Sequence, residues 1–344
     1  MNGDGYRVGV LGATGLVGTT ILDVLVERGF PVAELVPFAS ERSVGKRIDW
    51  NGAVLECRAL SEESIQGLDV VLSSAGGSVS AEWAPRFVEA GAVVVDNTSH
   101  FRMREDVPLV VAEVNPDAVE GHGGIVANPN CSTMQMVVAL KPLHDEAGIE
   151  RLVVSTYQAV SGTGKGAIDE LRGQARAALD DQDPVAAIYP HQIAFNALPQ
   201  AGSFPEGDDH TDEERKLINE TRKILGDERI RVSATCVRVP VVTGHSEAVN
   251  VETREPLSPE RARELLEAAP GVTVVDDPAA ARYPMAIEAA GRDDVFVGRI
   301  RRDPGNESAL DLWVVSDNLR KGAATNAVQV AELLIERGLL GNRS

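Results

Sequence analysis

Through the first third of the chain, short apolar runs rich in β-branched residues alternate with stretches of helical spacing, a pattern that few folds accommodate. Residues 6–11 read as a strand. Leu16, Val17, Ile21, Leu22, Leu25 and Val26 then recur at helical intervals until Gly29 closes the helix. A second strand is expected at 32–38 and a third at 69–73, followed by a helix at 80–90 and a strand at 92–96. Two more short apolar runs, 109–113 and 124–127, lead into Asn128-Pro129-Asn130-Cys131. This succession predicts an α/β domain built on a mostly parallel, doubly wound sheet with right-handed crossovers.

After Cys131 the texture changes. A helix at 134–146 leads to a strand at 151–159. Longer strands follow at 230–239, 245–253 and 309–316, with a shorter one at 295–300. Helices are expected at 166–179, 211–225 and 258–268, and an amphipathic one at 321–340. Long strands in succession predict a mixed or antiparallel sheet with helices on one face, hence a second domain of α+β type.

The first turn reads Gly12-Ala13-Thr14-Gly15-Leu16-Val17-Gly18. This spacing is a variant of the nucleotide-binding glycine fingerprint. Glycine permits the tight turn and lets backbone N–H groups approach a pyrophosphate at the helix N-terminus. An ordinary strand-to-helix turn is also glycine-rich, so the motif gains its weight from standing at the head of the alternating pattern. Together they indicate a Rossmann-type domain. An acidic residue after the second strand would serve the ribose 2′-hydroxyl of NAD. Here the segment is Ser40-Glu41-Arg42-Ser43. Arg42 between two hydroxyls suits the 2′-phosphate of NADP, which is the reading adopted, while Glu41 leaves the NAD alternative open. Ser74-Ala75-Gly76 supplies the small residues expected where a cofactor crosses the sheet edge, or a plain turn.

Composition excludes several classes. With 52 acidic against 33 basic residues the formal net charge is −19, which argues against nucleic acid or an anionic membrane as partner. No apolar run approaches the ~20 residues that span a bilayer. The first residues lack a basic stretch followed by an apolar one, so no signal peptide is expected. Cys57, Cys131 and Cys236 show no paired spacing, which reads as reduced thiols in an intracellular, by default cytoplasmic, protein. The acidic stretch 206–214 reads as a solvated loop and helix start. Any anionic ligand must therefore be held by locally placed arginines.

Cys131 stands where a loop becomes a helix. Free backbone N–H groups and the positive end of the helix dipole favour a thiolate there, and the same N–H groups could hold an oxyanion. A lone intracellular cysteine is more often a small core residue, and Cys57 and Cys236 are read that way. No histidine pair shows metal-ligand spacing, and no metal is expected. His245 follows a glycine turn at a strand start, where an imidazole can face a cleft; alone, it would more often be structural. Ser161-Gly162-Thr163-Gly164-Lys165 fails as a phosphate loop, because Ala159 replaces the first glycine and no Ser or Thr follows the lysine.

Several segments, in order and spread over nearly the whole chain, resemble bacterial aspartate-semialdehyde dehydrogenases. They are the first glycine loop, Ser-Glu-Arg-Ser-Val-Gly-Lys (40–46), Asp-Asn-Thr-Ser-His-Phe-Arg (96–102), Asn-Pro-Asn-Cys-Ser-Thr (128–133), Tyr-Gln-Ala-Val-Ser-Gly-Thr-Gly (157–164) and Arg-Val-Pro-Val-Val-Thr-Gly-His (238–245). By this resemblance Cys131 is the nucleophile, His245 the acid/base catalyst, and Gln158 orients a thioester intermediate. Arg238 would hold the substrate carboxylate and Arg102 the phosphate, with Glu213 and Lys216 completing the substrate sites. Glu213 is preferred to Glu214 because it lies three residues before Lys216. Asn318 and the Ser161-Gly162 turn would approach the nicotinamide of NADP. The resemblance further implies a homodimer acting on aspartyl phosphate and aspartate semialdehyde. It implies an NADP-binding domain of residues 1–130 with 319–344, and a catalytic and dimerisation domain of residues 131–318.

The implied chemistry splits acyl reduction into two displacements. The Cys131 thiolate takes the acyl group from aspartyl phosphate, phosphate leaves, and reduction of the thioester releases aldehyde and thiol, with His245 managing protons. N-acetyl-glutamyl-phosphate reductases share the logic but carry Asn-Pro-Gly-Cys-Tyr, where this chain has Asn130 and Ser132. Glyceraldehyde-phosphate dehydrogenases carry Cys-Thr-Thr-Asn. A non-catalytic paralogue would have lost the cysteine or histidine, and both are present.

Overall fold

The computed structural model describes residues 5–340. The chain separates into two compact units, Met1–Asn130 with Ala323–Ser344, and Cys131–Gly322.

The first unit contains β1 (Tyr6–Leu11), α1 (Leu16–Glu27), β2 (Val32–Phe38), β3 (Arg47–Trp50), β4 (Ala53–Glu56), β5 (Val70–Ser73), α2 (Gly77–Glu89), β6 (Val93–Asp96) and β7 (Ile125–Ala127). Five strands form one parallel sheet in the order β2-β1-β5-β6-β7. Every residue of β5 and β6 is buried, the continuous apolar pattern of a parallel sheet covered on both faces. The order turns back at β1, with β2 on one side and β5 on the other. The carboxyl ends of these three strands therefore make a topological switch point, where ligands of such sheets bind.

Two departures from the sequence expectations have local causes. Residues 109–113 form no strand beyond a bridge from Leu109 to Ala127, although Leu109, Val110 and Val111 are buried. Two of their backbone groups are met by the Asn115 side chain, whose Oδ1 accepts from Val111 N at 2.9 Å and whose Nδ2 donates to Leu109 O at 2.9 Å, while Val110 N donates to Ala127 O and Val110 O accepts from Asn326 Nδ2. The β3–β4 hairpin is absent from the sequence expectations, although its Asn51-Gly52 turn, with φ of 48° and 78°, is the pair that two-residue hairpins favour.

The second unit contains α3 (Cys131–Ala147), β8 (Ile149–Gln158), α4 (Lys165–Leu179), α5 (Asp212–Leu225), β9 (Arg231–Arg238), β10 (His245–Thr253), α6 (Pro259–Ala268), β11 (Val272–Val274), α7 (Ala286–Ala289), β12 (Val295–Asp303) and β13 (Asn306–Ser316). Its sheet has the order β11-β12-β13-β10-β8-β9. The β8–β9 and β11–β12 pairs are parallel and the others antiparallel, the mixed α+β arrangement expected. Helix α3 is buried from Ser132 to Leu140 and packs on β8, β10 and β13, flanked by α5 and α6. It begins at Cys131 itself, three residues earlier than its apolar spacing indicated.

After β13 the chain makes a π-helical stretch, Arg320–Thr325, before the last helix, α8 (Asn326–Glu336). Helix α8 belongs to the first unit, where Ala327, Val328, Val330, Ala331 and Leu334 join Val8, Val10, Leu72 and Val95 in one core.

Candidate active site

In the first unit, the turn between β1 and α1 is shaped by its glycines. Gly12 has φ 85°, and a Cβ there would lie 3.0 Å from Ser74 Oγ and 3.2 Å from Ala75 N. At Gly18 a Cβ would lie 2.1 Å from the Gly12 carbonyl oxygen, so only glycine lets the helix start this close to the turn. The N–H groups of Gly12 and Ala13 both donate to Phe38 O, at 3.0 and 3.1 Å, and the Ala13 side chain is core. These two residues build the turn. The donors it presents lie further on, at the first turn of α1, which has no side-chain cap and no acidic residue. Gly76, at φ 96°, precedes α2. Ser40, Arg42 and Ser43 follow the end of β2 in a short 3-10 turn, with Arg42 exposed. This cradle at the switch point fits a dinucleotide.

Arg102 is buried in the same unit, its Nε donating to Asn128 O at 2.9 Å and its Nη2 to Asn97 O at 2.7 Å. Asn128 in turn accepts from Asn326 Nδ2 at 2.6 Å, which ties the start of α8 to the Asn-Pro-Asn loop.

In the second unit, strand register assembles the site. Gln158 at the end of β8 is paired with Arg238 at the end of β9, and His245 at the start of β10 with Ser316 at the end of β13. Ser246 faces Tyr157, which brings His245 alongside Gln158. Four adjacent strands thus present Arg238, Gln158, His245 and Ser316 in one row, all buried. Ser316 Oγ donates to the Oε1 of Gln135 at 2.8 Å, one helical turn after Cys131, which joins the row to α3.

Each side chain in the row is held. Gln158 Nε2 donates to Ser132 Oγ at 2.8 Å and to Glu213 Oε1 at 3.2 Å. Glu213 Oε2 accepts from Lys216 Nζ at 3.1 Å, and Asp212 accepts from the same ammonium at 2.7 Å. Burial works against the charge on Lys216, but Glu213 and Asp212 outweigh it and raise its pKa. Arg238 Nη1 donates to Ala159 O at 2.8 Å. The N–H of Ala159 donates to His245 Nδ1 at 3.0 Å. Burial, reinforced by Arg238 and opposed by Glu213, lowers the His245 pKa to about 3.

Ser161 and Asn318 hydrogen-bond through Oγ and Nδ2 at 2.9 Å, and Asn318 Oδ1 accepts from Gly244 N at 2.9 Å, beside His245. A Cβ at Gly162 would lie 3.2 Å from Arg238 Nη1 and 3.4 Å from His245 Nε2, so this glycine leaves a space bordered by both. A Cβ at Gly322 would lie 2.8 Å from Cys131 Cβ. The stretch from Ser316 to Gly322 therefore reaches from His245 to the backbone and Cβ of Cys131.

Comparison with known proteins accords with this geometry. A family model described as semialdehyde dehydrogenase, NAD binding domain, matches residues 7–122, and one described as semialdehyde dehydrogenase, dimerisation domain, matches residues 140–321. The aspartate-semialdehyde dehydrogenase of Aquifex aeolicus is 59% identical over 340 residues, covering 98% of this chain and 100% of that protein. The chain belongs to the aspartate-semialdehyde dehydrogenase family. Among solved structures, aspartate semialdehyde dehydrogenase II from Vibrio cholerae complexed with ASA is 50% identical. It covers 96% of this chain and 98% of its own, with a TM-score of 0.94. The aspartate semialdehyde dehydrogenase with NADP from Candida albicans is 28% identical, covers 97% and 99%, and has a TM-score of 0.71. Aspartate-semialdehyde dehydrogenases are oxidoreductases.

Besides Ser316 and Gln135, three site residues escaped the sequence reading. Ser132 lies inside the Asn-Pro-Asn-Cys-Ser-Thr segment, but nothing there marks it as the acceptor for Gln158. Ala159 acts through its backbone and has no sequence signature. Gly322 is recognisable only because the Cβ of Cys131 packs against it.

Proposed function

We propose that this chain catalyses the reversible, NADPH-dependent reductive dephosphorylation of L-aspartyl-4-phosphate to L-aspartate-4-semialdehyde through a thioester on Cys131. The observation that carries this reading is the row of Arg238, Gln158 and His245 at one end of the sheet, joined through Ser316 and Gln135 to the helix that Cys131 begins. The helix N-terminus stabilises negative charge on the sulfur. Arg238 and Lys216 supply local positive charge in an acidic protein, and Arg102 is the residue for phosphate. The planar fork of arginine suits both carboxylate and phosphate. Glu213 receives the amino group of the substrate, and Gln158, held by Ser132, orients the acyl group.

The residues that would hold the nicotinamide dinucleotide are the Gly12–Val17 turn, Ser40, Arg42 and Ser43 for its 2′-phosphate, and Ser74, Ala75 and Gly76. Ser161, Gly162 and Asn318 would serve its nicotinamide end. When bound, that cofactor supplies the hydride in the reductive direction and accepts it in the other. The protein acts as a cytoplasmic homodimer in the synthesis of lysine, threonine, methionine and isoleucine.

The direct test is reduction of NADP by aspartate semialdehyde, run with and without phosphate or arsenate. Activity that depends on the anion supports the reading, and equal or greater activity with acetyl-glutamate semialdehyde would overturn the substrate.

A further inference from the structure

We propose that Glu247 is a positioning residue whose carboxylic acid links Gln135 on α3 to Thr156 on β8, and so fixes the first turn of α3, where Cys131 stands, against the strands that carry the row. The inference rests on the reading of Cys131 as the nucleophile and adds to that site a residue that acts only through others.

Side chains two residues apart on a strand share a face, so a second row runs below the first, about 7 Å further along the strands. Register sets Cys236 beside Thr156, Thr156 beside Glu247, and Glu247 beside Val314. These four lie two residues from Arg238, Gln158, His245 and Ser316 on the same strands, and all are fully buried. A carboxyl group at such a place is costly unless its oxygens are met.

Gln135 is the side chain of α3 that reaches this second row. Its Oε1 accepts from Ser316 Oγ at 2.8 Å, and its amide lies close enough to Glu247 to pull on the carboxyl. Gln135 Nε2, Thr156 Oγ1 and both Glu247 oxygens are buried and close no hydrogen bond among the described residues. An unmet donor or acceptor at that depth is costly, and these three groups complement one another. The terminal torsions of Glu and Gln are soft. Turned toward each other, the Gln135 amide donates to one Glu247 oxygen and the other meets the Thr156 hydroxyl. The link then spans α3, β10 and β8.

What surrounds Glu247 favours its acid form. Burial and the Glu213 carboxylate on α5 outweigh the Gln135 amide, and the acid persists well above the usual carboxylate range. The Cys236 thiol, beyond Thr156 on β9, is likewise kept protonated by burial. A carboxylic acid has one O–H to give and a carbonyl oxygen to accept. Glutamine offers the same donor and acceptor in the same shape, and leucine offers neither. Gln135 and Cys131 are one helical turn apart on one face of α3, so a tie at Gln135 holds the thiol's end of the helix.

The test compares full-length Glu247→Leu, Glu247→Gln and Thr156→Val, each shown to be folded by its melting curve, in steady-state reduction of NADP by aspartate semialdehyde with phosphate. Glu247→Leu is expected to lose kcat about tenfold or more with KM changed less than about threefold, since misplacing a reacting group by about 1 Å costs on the order of 10²-fold in rate. Glu247→Gln should retain most of the kcat that Glu247→Leu loses. Thr156→Val breaks the same link from β8, so adding it to Glu247→Leu should cost no further kcat. A wild-type kcat in Glu247→Leu, a Glu247→Gln as impaired as Glu247→Leu, or losses that multiply in the double variant overturn the proposal. Should Glu247→Leu fail to fold, Thr156→Val decides alone: a lowered kcat at unchanged KM supports the link, and a wild-type kcat overturns it. An inactive wild type sinks the reading of function itself, whereas an active wild type with unimpaired variants sinks only this inference.

Discussion

Glu213 and Glu214 are neighbours on α5 with their carboxylates committed to different partners. Glu214 completes a capping box with Thr211, its Oε2 accepting from Thr211 N at 2.9 Å while its Oε1 accepts from Cys236 N at 3.0 Å on β9. Glu213 instead takes Gln158 Nε2 and Lys216 Nζ. The first fastens a helix to a sheet, and the second belongs to the row of candidate catalytic groups. Glu214→Ala is therefore expected to cost about 1–3 kcal/mol of stability, from the lost cap and two orphaned buried N–H groups. Glu213→Gln should leave stability nearly unchanged and raise the KM for aspartate semialdehyde about tenfold or more. Denaturant midpoints and steady-state kinetics on both variants check this, and the reverse pattern would exchange the two roles.

Cys131→Ala should lower turnover by at least about 10³-fold while leaving NADPH binding nearly intact. Fluorescence titration with NADPH and an assay of the purified variant decide it. Appreciable residual turnover would sink the covalent mechanism.

Gly322→Ala should displace the thiol without removing it. The added methyl would stand 2.8 Å from Cys131 Cβ and 3.3 Å from its Cα. Misplacement of a reacting group by about 1 Å costs on the order of 10²-fold in rate. The expected loss is in kcat, with KM little changed; a wild-type kcat would show that this close approach does not position the thiol.

Arg42→Ala should raise the KM for NADPH far more than for NADH, because a guanidinium fork is worth most opposite a phosphate dianion. Comparable losses with the two cofactors would instead support the NAD reading that Glu41 leaves open.

Glu247, fully buried on β10, sets a pH signature. Burial pushes its carboxyl well above the usual carboxylate range, against the pull of the Gln135 amide and with the help of Glu213. The unfolded acid ionises near 4.5 and the native one only at higher pH, so rising pH above that value favours unfolding through this residue. Glu247→Gln cannot ionise in either state. Its Tm relative to wild type should rise between pH 5 and pH 8, as calorimetry would show; a relative Tm that falls would mean that Glu247 is ionised in the fold.

The strands were legible wherever one period ruled. The β10 bounds, His245–Thr253, coincide with the sequence reading because apolar and polar residues alternate along most of that run. The C-terminal helix was less legible. Its apolar spacing extends back to Lys321, yet the chain is π-helical to Thr325. The Asp317 carboxylate accepts from the N–H groups of Leu319 and Arg320 at 2.8 and 3.2 Å and shapes that start, and Gly322 lets it press against the Cβ of Cys131. Side-chain capping and close approach leave no trace in a period.

The sequence by itself determined the fold class, the glycine turn and the identity of the chemical groups, since periodicity and residue type are local properties. Tertiary structure decided how those groups are used. It gave two adjacent glutamates different partners, turned the Gln158 amide toward Ser132 and Glu213, and set the Nδ1 of His245 against a backbone N–H 86 residues away. These outcomes depend on which buried polar group meets which partner, and an unpaired buried donor or acceptor is costly enough to impose a single arrangement.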